Sequence, residues 1–222
     1  MGSFRLEQIS LRRRGTSLLD RVTADIEAGR CTVLTGPSGA GKSTLLRVLV
    51  RLEEPTQGMA WYGESPLRSH DVCRLRRRVV LLAQTPLLLT DRIRDELAVG
   101  RPEAGADTPA LLTRVGLPPE WADRPTAGLS GGEAARVCLA RGLALGPEAV
   151  LLDEPTAALD PSSAAAVEDT VRDLVRWGRL VVVVTHDAAL TRRLADHVIV
   201  LDHGRVAETG SPAAVTYLSA AE

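Results

Sequence analysis

Apolar residues recur along this chain with different spacings in different stretches, and each spacing predicts one kind of element. Between Phe4 and Thr35 hydrophobic and polar positions alternate loosely, which predicts short strands over Phe4–Leu11, Arg21–Ile26 and Cys31–Thr35. STLLRVLVRL then takes up helical spacing through Leu52, and Glu54–Gly58 (EPTQG) is a turn cluster. A strand fits Met59–Tyr62, and VVLLA, Val79–Ala83, reads as a buried one. From Pro86 to Gly128 the pattern is helical with proline and glycine breaks, predicting a small helical unit set between core strands.

Ser130–Leu145 is again helical, Ala149–Leu152 is a buried strand, and Pro161 introduces a helix over Ser162–Trp177. LVVVVTH, Leu180–His186, carries β-branched residues without polar alternation, as a parallel strand covered on both faces does. A short helix from Ala188 and a strand over Val198–Leu201 follow. Strands alternating with helices imply an α/β fold with a mainly parallel sheet and right-handed crossovers. At 222 residues the chain suits a single domain, with a core over 1–85 and 146–222 and a helical subdomain over about 86–145.

Composition narrows the function. Acidic and basic residues cancel to a formal net charge of −1, which argues against a general polyanion binder, so no nucleic-acid partner is expected. There is no apolar run long enough for a membrane span, and MGSFRLEQISLRRR lacks the apolar core of a secretory signal, so a cytoplasmic protein is expected. Cys31, Cys73 and Cys138 are scattered without metal or disulfide spacing and are expected to be buried small hydrophobes. Arginine is everywhere, but the sequence has one lysine, Lys42. A lone slender cation among planar forks marks a place where the fork would not fit.

That lysine lies in GPSGAGKS, which matches G-x-x-x-x-G-K-[ST] between a predicted strand and a predicted helix. Gly36, Pro37, Ser38, Gly39, Ala40, Gly41, Lys42, Ser43 and Thr44 would cradle the phosphates of ATP with inward-pointing N–H groups and a helix start. Lys42 would reach the β- and γ-phosphates and Ser43 would ligate Mg²⁺. AVLLDEP ends an apolar strand in two carboxylates at the edge where open α/β sheets bind ligands. Asp153 is expected to hold the magnesium and Glu154 to orient and deprotonate water. His186 ends the next apolar strand and can contact the γ-phosphate or the water, and Gln84, after VVLLA, can bind Mg²⁺ or water. His70, His197 and His203 have no such setting.

LSGGE, Leu129–Glu133, is a second glycine-rich helix start, more than eighty residues past the first. With GPSGAGKS, Gln84, LSGGE, AVLLDE, the ALD at Ala158–Asp160 and His186, nearly the whole chain resembles the nucleotide-binding subunit of an ATP-binding cassette (ABC) transporter. The resemblance implies a P-loop NTPase fold with an N-terminal antiparallel β subdomain, and two cassettes, as a homodimer or heterodimer, pairing head to tail around two Mg-ATP. Ser130, Gly131 and Gly132 of one chain would close over the partner's nucleotide, with Asp160 crossing the interface. It also implies an integral-membrane permease meeting Gln84–Leu97, and a place on the inner face of the cell membrane. The family's adenine-stacking aromatic is replaced by Arg12–Arg14, so Arg13 would stack in its place. Ala135 departs from the usual signature and Arg136 keeps it. AQTPLL, Ala83–Leu88, resembles small metal-efflux export cassettes. Rival readings are a soluble cassette ATPase acting on DNA or ribosomes, which would carry a coiled-coil insertion or a second fused cassette, and a nucleotide kinase, which leaves LSGGE and Glu154 unexplained.

Overall fold

Two strands explain why the sheet is buried on both sides. In Ala149–Asp153 (β7) and Leu180–Val184 (β8), Ala149, Leu151, Leu180, Val182 and Val184 enter one hydrophobic cluster. Val150, Leu152, Val181 and Val183 enter another. Successive side chains point to opposite faces, so an unbroken apolar run fills two cores at once. Each fully buried Val or Leu stabilises the fold by roughly 1.5–3 kcal/mol.

The computed structural model describes residues 2–101, 105, 107–157 and 159–219. Ala158 of the ALD stretch, part of the helical segment around 102–106, and the last three residues of AAVTYLSAAE lie outside them. Among the described residues the larger sheet is ordered β10-β9-β3-β8-β7-β6, from Arg205–Gly210 (β10), His197–Asp202 (β9), Cys31–Thr35 (β3), β8, β7 and Val79–Leu82 (β6). Every pairing in it is parallel except β9 with β10. The smaller sheet is antiparallel: Thr16–Ile26 (β2), Phe4–Arg13 (β1), Gln57–Tyr62 (β4) and the two-residue Ser65–Pro66 (β5). Its apolar face, with Phe4, Leu6, Ile9 and Tyr62, packs into the first core beside helix Lys42–Leu49 (α1).

The second core is covered by Ile93–Ala98 (α3), Thr108–Arg114 (α4), Gly131–Ala144 (α5), Pro161–Arg176 (α6) and Ala188–Leu194 (α7). The α/β architecture, the antiparallel sheet and the helical insertion all stand as the sequence led us to expect.

Four local expectations are corrected. Helix α1 stops at Leu49, short of Leu52, because Arg51 takes a left-handed φ of 54° that ends the turn. Strand β2 begins at Thr16, five residues before Arg21. Val72–Arg78 (α2) buries little beyond Leu75, and its Cys73 is exposed, while Cys31 and Cys138 are buried. Strand β10 was missed because its glutamate, threonine and glycine positions alternate between half-buried and exposed and carry little hydrophobic signal.

Candidate functional site

Sheet order brings the motifs together. Because β3, β8, β7 and β6 are parallel neighbours, whatever follows their last residues emerges along one edge: Gly36, His186, Glu154 and Gln84 in turn. Gly36 has a φ of 130°, and a Cβ there would lie 2.0 Å from the Leu201 carbonyl oxygen, so only glycine lets the loop pass β9 this closely. Gly41 caps α1 at φ 101°, where a Cβ would sit 2.7 Å from the Leu18 carbonyl oxygen. The first bond into α1 is from Leu45 N–H to Gly41 O, 2.9 Å. The amides of Lys42, Ser43 and Thr44 therefore face outward from the helix start, beside the turn of Pro37, Ser38, Gly39 and Ala40.

Lys42 is buried, and its Nζ donates to the Gly36 and Pro37 carbonyls at 2.8 Å each. Burial lowers its pKa, opposed by the charges of Glu154 and Asp153. Ser43 Oγ donates to Asp153 Oδ1 at 3.0 Å, joining the loop to the strand 110 residues later. Burial raises the Asp153 pKa, the Ser43 bond opposes it, and the neighbouring Glu154 charge adds to it. A hydroxyl and a carboxylate in contact form a hard, all-oxygen pair that fits Mg²⁺, which takes few protein ligands and leaves its other positions to phosphates and water. Gln84 is exposed and lines the same cavity as Asp153 and Pro155.

Glu154 is the structural surprise. It leaves β7 with a left-handed φ of 50°, its N–H held by the Val184 carbonyl at 3.0 Å. Its Oε1 lies 3.0 Å from His186 Nδ1, an imidazole that is mostly exposed. The sequence placed both residues at strand ends without showing that they touch.

The second glycine pair is built separately. Ser130 caps α5: its Oγ accepts from Glu133 N–H at 3.2 Å, while Glu133 Oε2 accepts from Ser130 N–H at 2.8 Å. Those bonds to Ser130 lower the Glu133 pKa. A Cβ on Gly132 would meet Leu159 Cδ2 and Ser163 Oγ, each at 3.3 Å. A Cβ on Gly131 would meet nothing within 4 Å, and its φ is outside the left-handed region. Asp160 caps α6, accepting from the hydroxyls of Ser162 and Ser163 at 2.6 and 2.5 Å and from their N–H groups. Those bonds, Ser162's first, hold its carboxyl far below the usual range. Ala135 and Arg136 follow on α5, where Arg136 donates to the Gly116 carbonyl at 2.8 Å. Arg13 ends β1, and its guanidinium pairs with Glu53, forty residues away, a partner the sequence did not suggest.

A phosphate loop on a parallel sheet, with a serine and two carboxylates converging on it, defines a phosphate-loop nucleotide hydrolase. Residues 19–157 match the ABC transporter family model, and the chain belongs to that family. It is similar to a hemin import ATP-binding protein, HmuV, of Rhodococcus jostii (strain RHA1), with 39% identity over 96% of this chain and 76% of the relative. It is also similar to a glutamine transport ATP-binding protein, GlnQ, of Bacillus subtilis (strain 168), with 36% identity over 88% and 85%. Among solved structures, a dimeric post-hydrolysis state of the ATP-binding cassette MJ0796 bound to ADP and Pi superposes with a TM-score of 0.83, 26% identity and coverage of 94% and 98%. CbiO1 of Clostridium perfringens, part of the ABC transporter complex cbiONQ, gives 0.84 and 26%, covering 94% and 88%.

This chain is thus an ATP-binding ABC cassette and an ATPase. No helix among the described residues is long and apolar enough to cross a membrane. The export-type reading of Ala83–Leu88 gains no support from relatives named for hemin and methionine import, and is withdrawn.

Proposed function

We propose that two copies of this cassette, or this cassette and a similar one, close around two ATP molecules and drive an import-type membrane permease. The observation that carries the two-chain reading is Gly131. This subunit has no conformational or steric need for glycine there, since a methyl group would meet no atom and the backbone is ordinary. Inside a helix glycine costs stability relative to alanine, and part of that cost falls on the first helical residue. A bare backbone is useful there if an anion from outside the chain approaches the N-terminus of α5 closely. A partner's nucleotide is such an anion, and a dimeric relative supports the arrangement.

Within one site, the loop from Gly36 to Thr44 holds the phosphate chain through its amides, and Lys42 turns from two carbonyls to the β- and γ-phosphates. Ser43 and Asp153 would hold Mg²⁺, which supplies charge neutralisation when bound with ATP. Glu154 accepts a proton from the attacking water, and His186 orients that carboxylate through its 3.0 Å contact and reaches toward the γ-phosphate. Gln84, at the neighbouring strand end, would hold the water or the metal, and Arg13, anchored by Glu53, offers a plane to the base. Asp160 orders the start of α6 beside Gly132 and faces the partner.

Permease contact falls on the apolar walls of the cavity that Gln84 and Asp153 also line, about 510 Å³, away from those two polar residues and along Leu82, Leu87, Val99 and Leu145. Leu52, Leu87 and Val99 on its walls are exposed, an apolar patch at the end of β6 that fits a membrane partner. This would place the cassette peripherally on the membrane. Relatives named for uptake of hemin and methionine support the import direction.

The test mixes two inactive variants. Lys42→Ala spoils the phosphate loop and Ser130→Phe blocks the other helix start, so each alone forms dimers with two damaged sites. Equal mixing makes one mixed dimer for every two formed, each with one intact composite site, and about a quarter of wild-type turnover should return. No recovery above the separate variants refutes the shared site.

A further inference from the structure

The strand-to-helix segment after Gln84 has no regular structure over residues 85–91, yet it is clamped from the inside. Glu96 on α3 is completely buried. Its Oε2 accepts from Leu89 N–H at 2.8 Å and from Thr90 N–H and Oγ1 at 2.9 Å each. Its Oε1 takes Nη1 of Arg141, and the same nitrogen donates to the Leu87 carbonyl at 2.9 Å. Cys138 Sγ lies 3.5 Å from that carbonyl, and Thr126 Oγ1 donates to the Thr90 carbonyl. Leu87 and Leu89 meanwhile turn their side chains to solvent, 67% and 58% exposed. Two residues of one short segment thus offer an apolar side chain outward and a main-chain group inward to a single ion pair whose carboxylate is fully buried.

Arg141 and Ser130 lie on the same helix, roughly 16 Å apart at 1.5 Å per residue. We infer that Glu96 and Arg141 are positioning residues that weld the segment following Gln84 to α5, so that Gln84 at one nucleotide and Ser130 at the other move as one body. This rests on the two-chain reading given above. A buried carboxylate with four donors cannot give up Arg141 without leaving charge unpaired, which makes the weld stiff. The segment cannot shift by a fraction of an ångström without carrying the start of α5 along.

The test compares Glu96→Gln with Glu148→Gln on the intact chain. Glu148 forms an ion pair as well, with Arg78 at 2.7 and 3.0 Å, and accepts from the Tyr62 hydroxyl at 3.1 Å; neither partner is on α5. Both variants should lose stability. Loss of the Glu96 charge should lower kcat for Mg-ATP about tenfold, the factor expected for one charge-assisted bond, with ATP affinity of the single subunit within about twofold of wild type. Glu148→Gln should keep kcat within the same twofold range, and Arg141→Lys, which keeps the charge but not the fork, should fall between. Equal kcat losses in Glu96→Gln and Glu148→Gln, or affinity falling together with kcat, overturn the inference. A wild-type chain whose turnover per subunit does not rise with concentration instead refutes the two-chain reading, and the weld between sites falls with it.

Discussion

Replacing Gly131 by alanine should make the subunit more stable and the enzyme worse, a pairing that few single substitutions produce. The added methyl group meets no atom within 4 Å, and φ needs no adjustment, so there is no steric cost. Alanine exceeds glycine by about 0.8–1.0 kcal/mol inside helices. At the first residue of α5, where the helix is only half formed, about 0.5 kcal/mol is the reasonable share. For a chain of this length that corresponds to a rise in Tm of about 1–2 °C. The same methyl group would stand between the α5 amides and a phosphate brought by the partner, where losing one well-aimed donor costs about 10²–10³ in kcat. Thermal melting of the nucleotide-free subunit and phosphate release above the dimerisation concentration measure the two effects separately. Gly132→Ala is the contrast, since its methyl group presses on Leu159 and Ser163 at 3.3 Å and should cost stability. A Gly131→Ala enzyme with wild-type kcat, or one that melts earlier, would show that the glycine serves its own subunit and defeat the argument.

Two further outcomes are expected. Glu154→Gln keeps the left-handed turn and the Val184 bond but loses the proton acceptor, so turnover should fall by at least about 10²-fold while ATP stays bound and dimers accumulate on size exclusion; ordinary turnover contradicts its role as base. Stability should also fall in acid through Glu168, whose pKa is lowered first by its bond from Arg193 and then by Arg193 and Arg172 charges. Its folded pKa lies below the unfolded value of about 4.3, so its contribution is complete above that value and lost as pH falls through the folded one. Unfolding free energies from urea titrations at about pH 6 and pH 3 should differ less in Glu168→Gln than in wild type, by of order 1 kcal/mol; equal pH dependence contradicts it.

What the sequence made legible was local or periodic. Gly36–Ser43 announces itself by spacing, and Asp153, Glu154 and His186 by closing apolar runs whose burial needs no partner to be recognised. Contacts between distant segments stayed hidden. Nothing in IRDELA distinguishes Glu96 from a solvated helix carboxylate until α5 brings Arg141 against it, 45 residues on. Arg13 was expected to stack on the base, with no sign of its pairing with Glu53, and Cys73 looked buried because a short arginine-rich helix gives little sign of which face turns inward. The contact of Glu154 with His186 follows from strand order, which periodicity does not encode.

The reversed backbone at Glu154 has a consequence for anyone selecting hardier versions of this enzyme. A Cβ is disfavoured in that conformation, and glycine would relieve it. Heat selection alone therefore pulls position 154 toward the residue that removes the base, so sturdiness and hydrolysis must be screened together or the survivors will be inert.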